Sequence, residues 1–168
     1  MNVRTLTKMA LLTAASLILG WIDSLIPILP QVPGIKLGLA NLVLLYAVFY
    51  LTPWQTVLLM LLKVGLSSLL FGNAVSALYA IAGGVLSVAV MLALRRIRAV
   101  SVITVSTFGG ILHIIGQCAV GCLLIAPKPV LVYAPWLLAC GLITGVLLGL
   151  AARAAFYGIE RYERRKGA

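Results

Sequence analysis

Pro33-Gly34-Ile35-Lys36-Leu37-Gly38-Leu39-Ala40-Asn41 is a polar, glycine-bearing interruption lodged between two stretches apolar enough to cross a bilayer. Pro33 and Gly34 break any helix before them, because proline lacks a backbone donor and glycine ranks next to it in helix penalty. Lys36 sets a charge near the hydrocarbon boundary, and Gly38 and Asn41 put a gap and an amide on the helix that follows. Broken backbone persists at membrane depth only where protein or water satisfies it. The segment reads as a membrane-level loop entering a helix, held over a cavity by the rest of the chain.

The chain has 168 residues, of which 63% are hydrophobic and 10% charged, with a mean hydropathy of +1.18. This composition excludes a soluble globule and makes the bilayer the solvent for most side chains. The net charge of +10 would suggest nucleic acid in a soluble domain, but the basic residues cluster at the ends of apolar runs. There they act as topology signals, and no nucleic-acid partner is expected. Cys118, Cys122 and Cys140 all lie inside apolar runs, without a carboxylate on the helix of the first two and with His113 on a different face from Cys118. They read as packing residues, with no metal and no cofactor implied. Arg4 and Lys8 before an apolar run imitate a secretory signal, yet the run continues through Trp21 toward Pro27 without a clean small-x-small cleavage site followed by polar sequence. A retained first helix is the expectation.

Apolar runs and breakers place six helices, at about residues 6–26, 36–51, 54–71, 74–94, 102–125 and 131–159, in one membrane domain. Thr52-Pro53-Trp54 suits a helix start at the membrane interface, and Gly72-Asn73 and the Ala126-Pro127-Lys128-Pro129 stretch mark further turns. Lys63 falls at the middle of the third helix, where insertion scales assign a lysine about +3 kcal/mol against roughly −0.5 for each leucine. It therefore faces the bundle interior, and Ser67 shares its face. On the fifth helix Gly109, His113, Gln117 and Gly121 recur at four-residue steps, a polar pair between two glycines. Ser76, Ala80, Gly83, Gly84 and Ser87 on the fourth helix, and Gly141, Gly145 and Gly149 on the sixth, form small-residue faces suited to close packing.

Six spans put both termini on one side, together with Arg4, Lys8, Arg95, Arg96, Arg98, Arg153 and the basic tail. Lys36 and Lys128 alone fall on the other. By the positive-inside rule the termini are cytoplasmic and the protein sits in the cell membrane. The tail reads as a solvated helix end at anionic lipid headgroups.

Enzymatic signatures are missing. No phosphate-binding G-x-x-x-x-G-K-[ST] occurs, so ATP hydrolysis would need a partner, and one aspartate with two glutamates cannot build the acidic clusters of a prenyl-diphosphate synthase. Asp23 near the outer end of its helix is badly placed to orient His113 near mid-membrane. What remains is a set of polar groups in an apolar bundle: Asp23, Lys36, Asn41, Lys63, Ser67, Asn73, His113 and Gln117. Lys63 and His113 either bind a ligand or bond neighbouring helices, Asn41 and Asn73 cap helices, bond neighbouring helices or contact a ligand, and Lys36 either serves a ligand, snorkels or pairs with Asp23. Lysines outnumber acids from the midplane outward, which favours a ligand with an acidic or phosphorylated end.

The alanine-rich first helix, the Pro33 to Asn41 segment, the Thr52-Pro53-Trp54 turn and the glycine-rich fourth helix together resemble the Gx transporter family, also called heptaprenyl diphosphate synthase component I. More distantly the chain resembles the S components of energy-coupling factor (ECF) transporters. The resemblance spans nearly the whole chain. It implies an all-α integral membrane protein, an ECF S-component-like six-transmembrane-helix bundle, binding a small molecule beneath the loop between helices 1 and 2. It also implies an A-x-x-x-A docking face at Ala10 and Ala14 for a transmembrane coupling subunit that works with ATPases.

The expected function is capture of a small anionic or amphiphilic metabolite from outside for ATP-driven uptake, without enzymatic activity. Lys36, Asn41, Lys63, Ser67, His113 and Gln117 form the expected ligand site. The rival expectation is a non-catalytic membrane subunit that binds prenyl diphosphate or quinone precursors and anchors a soluble isoprenoid synthase. A stand-alone uniporter or small channel is a third.

Overall fold

The computed structural model describes residues 2–25, 38–124 and 127–166. Lys36 and most of the Pro33 to Asn41 segment lie outside the described residues, as does the Asp23 side chain. The described residues form six helices, α1 (Val3–Leu25), α2 (Ala40–Tyr50), α3 (Pro53–Phe71), α4 (Ala74–Leu94), α5 (Val102–Leu124) and α6 (Pro127–Lys166). Five are long and apolar enough to cross a membrane, whereas α2 has only 11 residues.

Local chemistry sets the helix starts. Thr52 and Gln55 make a reciprocal capping box at the head of α3, with Pro53 in the first turn, where its missing donor removes nothing. Asn73 caps α4 in the same way. Its Oδ1 accepts from the Ser76 amide at 2.8 Å, and the Ser76 hydroxyl accepts from the Asn73 amide at 2.9 Å. Of the roles left open for Asn73, the structure assigns capping.

The longer helices form an arc in the order α1, α3, α4, α5, α6, and α2 packs inside it against α1, α3, α4 and α6. Ala40, Val43, Leu44, Leu45, Ala47 and Val48 of α2 are buried. Apolar side chains fill the outside as well as the core: Leu69 is 83% and Leu123 85% exposed, while Thr13, Ser16, Thr56, Ser87 and Ser106 are buried. The hydroxyls of Thr13, Ser16 and Thr56 bond backbone carbonyls, as Thr13 does to Met9 at 2.8 Å.

The last turn of a helix leaves carbonyls without amide partners. Side chains from α3 and from the end of α4 bond carbonyls in this part of α2. The Thr56 hydroxyl donates to the Ala47 carbonyl at 3.0 Å, and the Arg95 guanidinium at the end of α4 donates to the carbonyls of Val48 and of Leu51, the latter at 3.1 Å. Beside this end of α2, Tyr46 and Tyr50 stack at 4.7 Å between ring centroids, and Phe156 of α6 meets Tyr50 edge-on at 5.0 Å.

Along the α5–α6 seam the two backbones meet closely. A Cβ on Gly145 would lie 2.8 Å from the Thr107 Cα, and one on Gly149 would lie 2.7 Å from the Ile103 Cα. The glycine triplet of α6 is thus a backbone-to-backbone packing face. The helix itself exceeds the expected 131–159. It starts at Pro127, where proline suits a first turn, passes through Pro135, and continues as a polar rod to Lys166, because Glu160 to Lys166 holds good helix formers and no breaker.

Gly145→Val therefore lowers unfolding stability by about 1–3 kcal/mol, read as a lower midpoint in detergent by circular dichroism. Gly158→Ala, where a Cβ meets nothing within 4 Å, leaves the midpoint unchanged or raises it.

Candidate functional site

Gly38 is the one positive-φ residue among those described, at +74°. Its left-handed backbone turns the chain into α2, and the Asn41 amide donates back to the Gly38 carbonyl at 2.7 Å. A Cβ on Gly38 would lie 3.0 Å from Asn41 Nδ2, so the bare glycine accommodates the Asn41 carboxamide. The carboxamide oxygen accepts from Lys63 Nζ at 2.7 Å, a charge-assisted bond between the start of α2 and the middle of α3. Both side chains are half-buried. Lys63 points into the bundle, as the price of a lysine in lipid requires.

One turn along α3, the half-buried Ser67 hydroxyl donates to its own helix at the Val64 carbonyl, 3.1 Å away. On α5, His113 Nε2 and Gln117 Nε2 lie 3.2 Å apart and form a second half-buried pair. The two pairs flank adjoining glycines of α4. A Cβ on Gly83 would lie 2.9 Å from His113 Nδ1, and a Cβ on Gly84 would lie 2.9 Å from Met60 Sδ, one turn before Lys63 on α3. Both glycines therefore admit a neighbouring helix, α5 on one side and α3 on the other. The sequence reading found these glycines as packing; their position against the polar residues needed coordinates.

Of the expected ligand residues, the structure joins Asn41 to Lys63 and His113 to Gln117, and leaves Ser67 on the Lys63 helix with its proton committed to backbone. No group of three or more metal-capable side chains occurs among the described residues. Ala10 and Ala14 are exposed on α1, in a stripe that includes Val3, Leu6, Leu11 and Ile18.

The larger cavity described is elsewhere. It measures about 830 Å³, lies at the far end of α2 from Asn41, and is lined by residues that include Phe49, Tyr50, Val102, Leu150, Arg153 and Tyr157. The Lys63 region is the better ligand candidate on chemistry, since its groups are partly buried, paired and polar. Sequence reasoning passed over this groove and the Arg95 bonds, although an arginine beside aromatics at a helix end was the available signal.

The fold defines a class. The S component of a bacterial ECF transporter superposes with a TM-score of 0.74 at 16% identity, covering 95% of this chain and 96% of that one. The chain is thus an all-α, multi-pass membrane protein with the S-component architecture. Residues 12–155 match the model of the heptaprenyl diphosphate synthase component I family, and the chain belongs to that family. No curated protein matches in sequence.

Asn41→Leu removes a charge-assisted bond and lowers stability by about 1.5–3 kcal/mol, measured as the shift in thermal midpoint in detergent. Gly83→Ala displaces the His113 ring and moves its imidazole nitrogen resonances, while Gly65→Ala, with nothing within 4 Å of its Cβ, leaves them in place.

Proposed function

We propose that this protein captures a small anionic or amphiphilic metabolite at the outer half of the bundle and passes it inward with an ATP-driven partner complex. The Lys63–Asn41 pair carries the reading. A half-buried ammonium on a spanning helix, hydrogen-bonded to the first turn of α2, supplies a positive centre beside the segment that enters that helix. Lys63 and His113 bind the polar end of the ligand, with Ser67 and Gln117 beside them. Asn41 and Lys36 contact or gate it.

The chain has no nucleotide-binding loop, so the energy comes from partners. Ala10 and Ala14 offer a small-residue face on α1 for a membrane-embedded coupling subunit, and their exposure suits that role. The distribution of basic residues supports cytoplasmic termini in the cell membrane. The S-component architecture supports the transport reading at the level of fold. The family's name favours a second reading, a non-catalytic membrane subunit that binds prenyl diphosphate or quinone precursors and anchors a soluble isoprenoid synthase. Neither reading assigns catalysis to this chain.

Native mass spectrometry of the gently extracted protein separates them. A coupling subunit with ATPases supports transport, whereas a soluble aspartate-rich synthase supports the anchor. For the site, an isoprenoid diphosphate and its uncharged alcohol serve as probes of anion preference: Lys63→Met lowers affinity for the diphosphate roughly tenfold or more and leaves the alcohol little changed. Tight binding of a cationic compound, undiminished in Lys63→Ala, overturns the anionic assignment.

A further inference from the structure

The groove at the far end of α2 is unused by the proposed ligand site. Its wall is aromatic and aliphatic, from Phe49 and Tyr50 of α2, Val102 of α5, and Leu150 and Tyr157 of α6, with Arg153 set among them. Arg153 is exposed, and no protein acceptor holds it among the described residues. Two other cations of this end are engaged by protein, Arg95 by the α2 carbonyls and Lys8 over the Tyr46 ring at 5.5 Å. The first turn of α5 adds the partial positive charge of a helix N-terminus at Val102. Glu160 and Glu163 come only later in α6, and Asp23 lies toward the opposite end of α1. Arg153 follows a long apolar stretch of α6 and precedes the charged run that begins at Glu160, a position from which an arginine reaches lipid headgroups.

We propose that this groove holds one anionic phospholipid, its phosphate on Arg153 and an acyl chain along Val102, Leu150 and Phe49. A phospholipid meets both chemistries of the wall at once, since the lining is largely apolar with one cation set in it. The inference goes beyond the transport reading and stands on the membrane location alone.

The test uses the full chain in nanodiscs of mixed phosphatidylglycerol and phosphatidylcholine, released into the mass spectrometer. The wild type retains one phosphatidylglycerol in preference to phosphatidylcholine. Arg153→Gln reduces that preference about fivefold, and Arg161→Gln, outside the groove, leaves it intact. Leu150→Trp fills the acyl path and removes both lipids from a chain that keeps its helical circular dichroism, which covers the case in which Arg153→Gln fails to fold. Equal retention of the two lipids, retention by Arg153→Gln at the wild-type level, displacement by soluble glycerol phosphate, or a polypeptide in the lipid's place each overturns the proposal.

Discussion

The bundle depends on how the backbone of α2 is satisfied. The last turn of a helix leaves carbonyls that lack amide partners, and hydrocarbon offers no donor for them. Arg95 and Thr56 close the end of the helix from α4 and α3, and the Asn41 side chain near its beginning is tied to Lys63. Three neighbouring side chains thus fix the axial position of one short element. Because α2 touches four of the other helices, fixing it also sets the radius of the arc.

Small residues do the complementary work. Without a hydrophobic drive between helices in lipid, close packing must come from faces that let backbones meet. Gly145 and Gly149 do this for α5 and α6, and Gly83 and Gly84 bring α5 and α3 to opposite sides of α4. The second arrangement gathers the polar groups. A larger residue at Gly83 would push His113 away from α4, so the two helices meet here because α4 is thin at that level.

Much of this was legible from residue order. Length, hydropathy and breakers placed six helices, and the lone lysine in the middle of α3 had to face inward because its alternative was lipid. The glycine and alanine spacings marked seams. Contacts between distant residues were not legible: the Arg95 carbonyl bonds join positions 44 and 47 residues apart, and Lys63 meets Asn41 across 22. Arg95 looked like a topology signal because its charge explained its place without any partner. The length of α6 was underread for a related reason, since hydropathy marks where lipid ends and says nothing of where a helix stops.

That length has a mechanical meaning. A 40-residue helix spans about 60 Å, about twice the hydrocarbon thickness of a bilayer. It is held against α5 along the glycine seam and against α2 at Phe156, so the part beyond Phe156 is a lever that carries any rotation of the held portion out to Arg164 and Arg165.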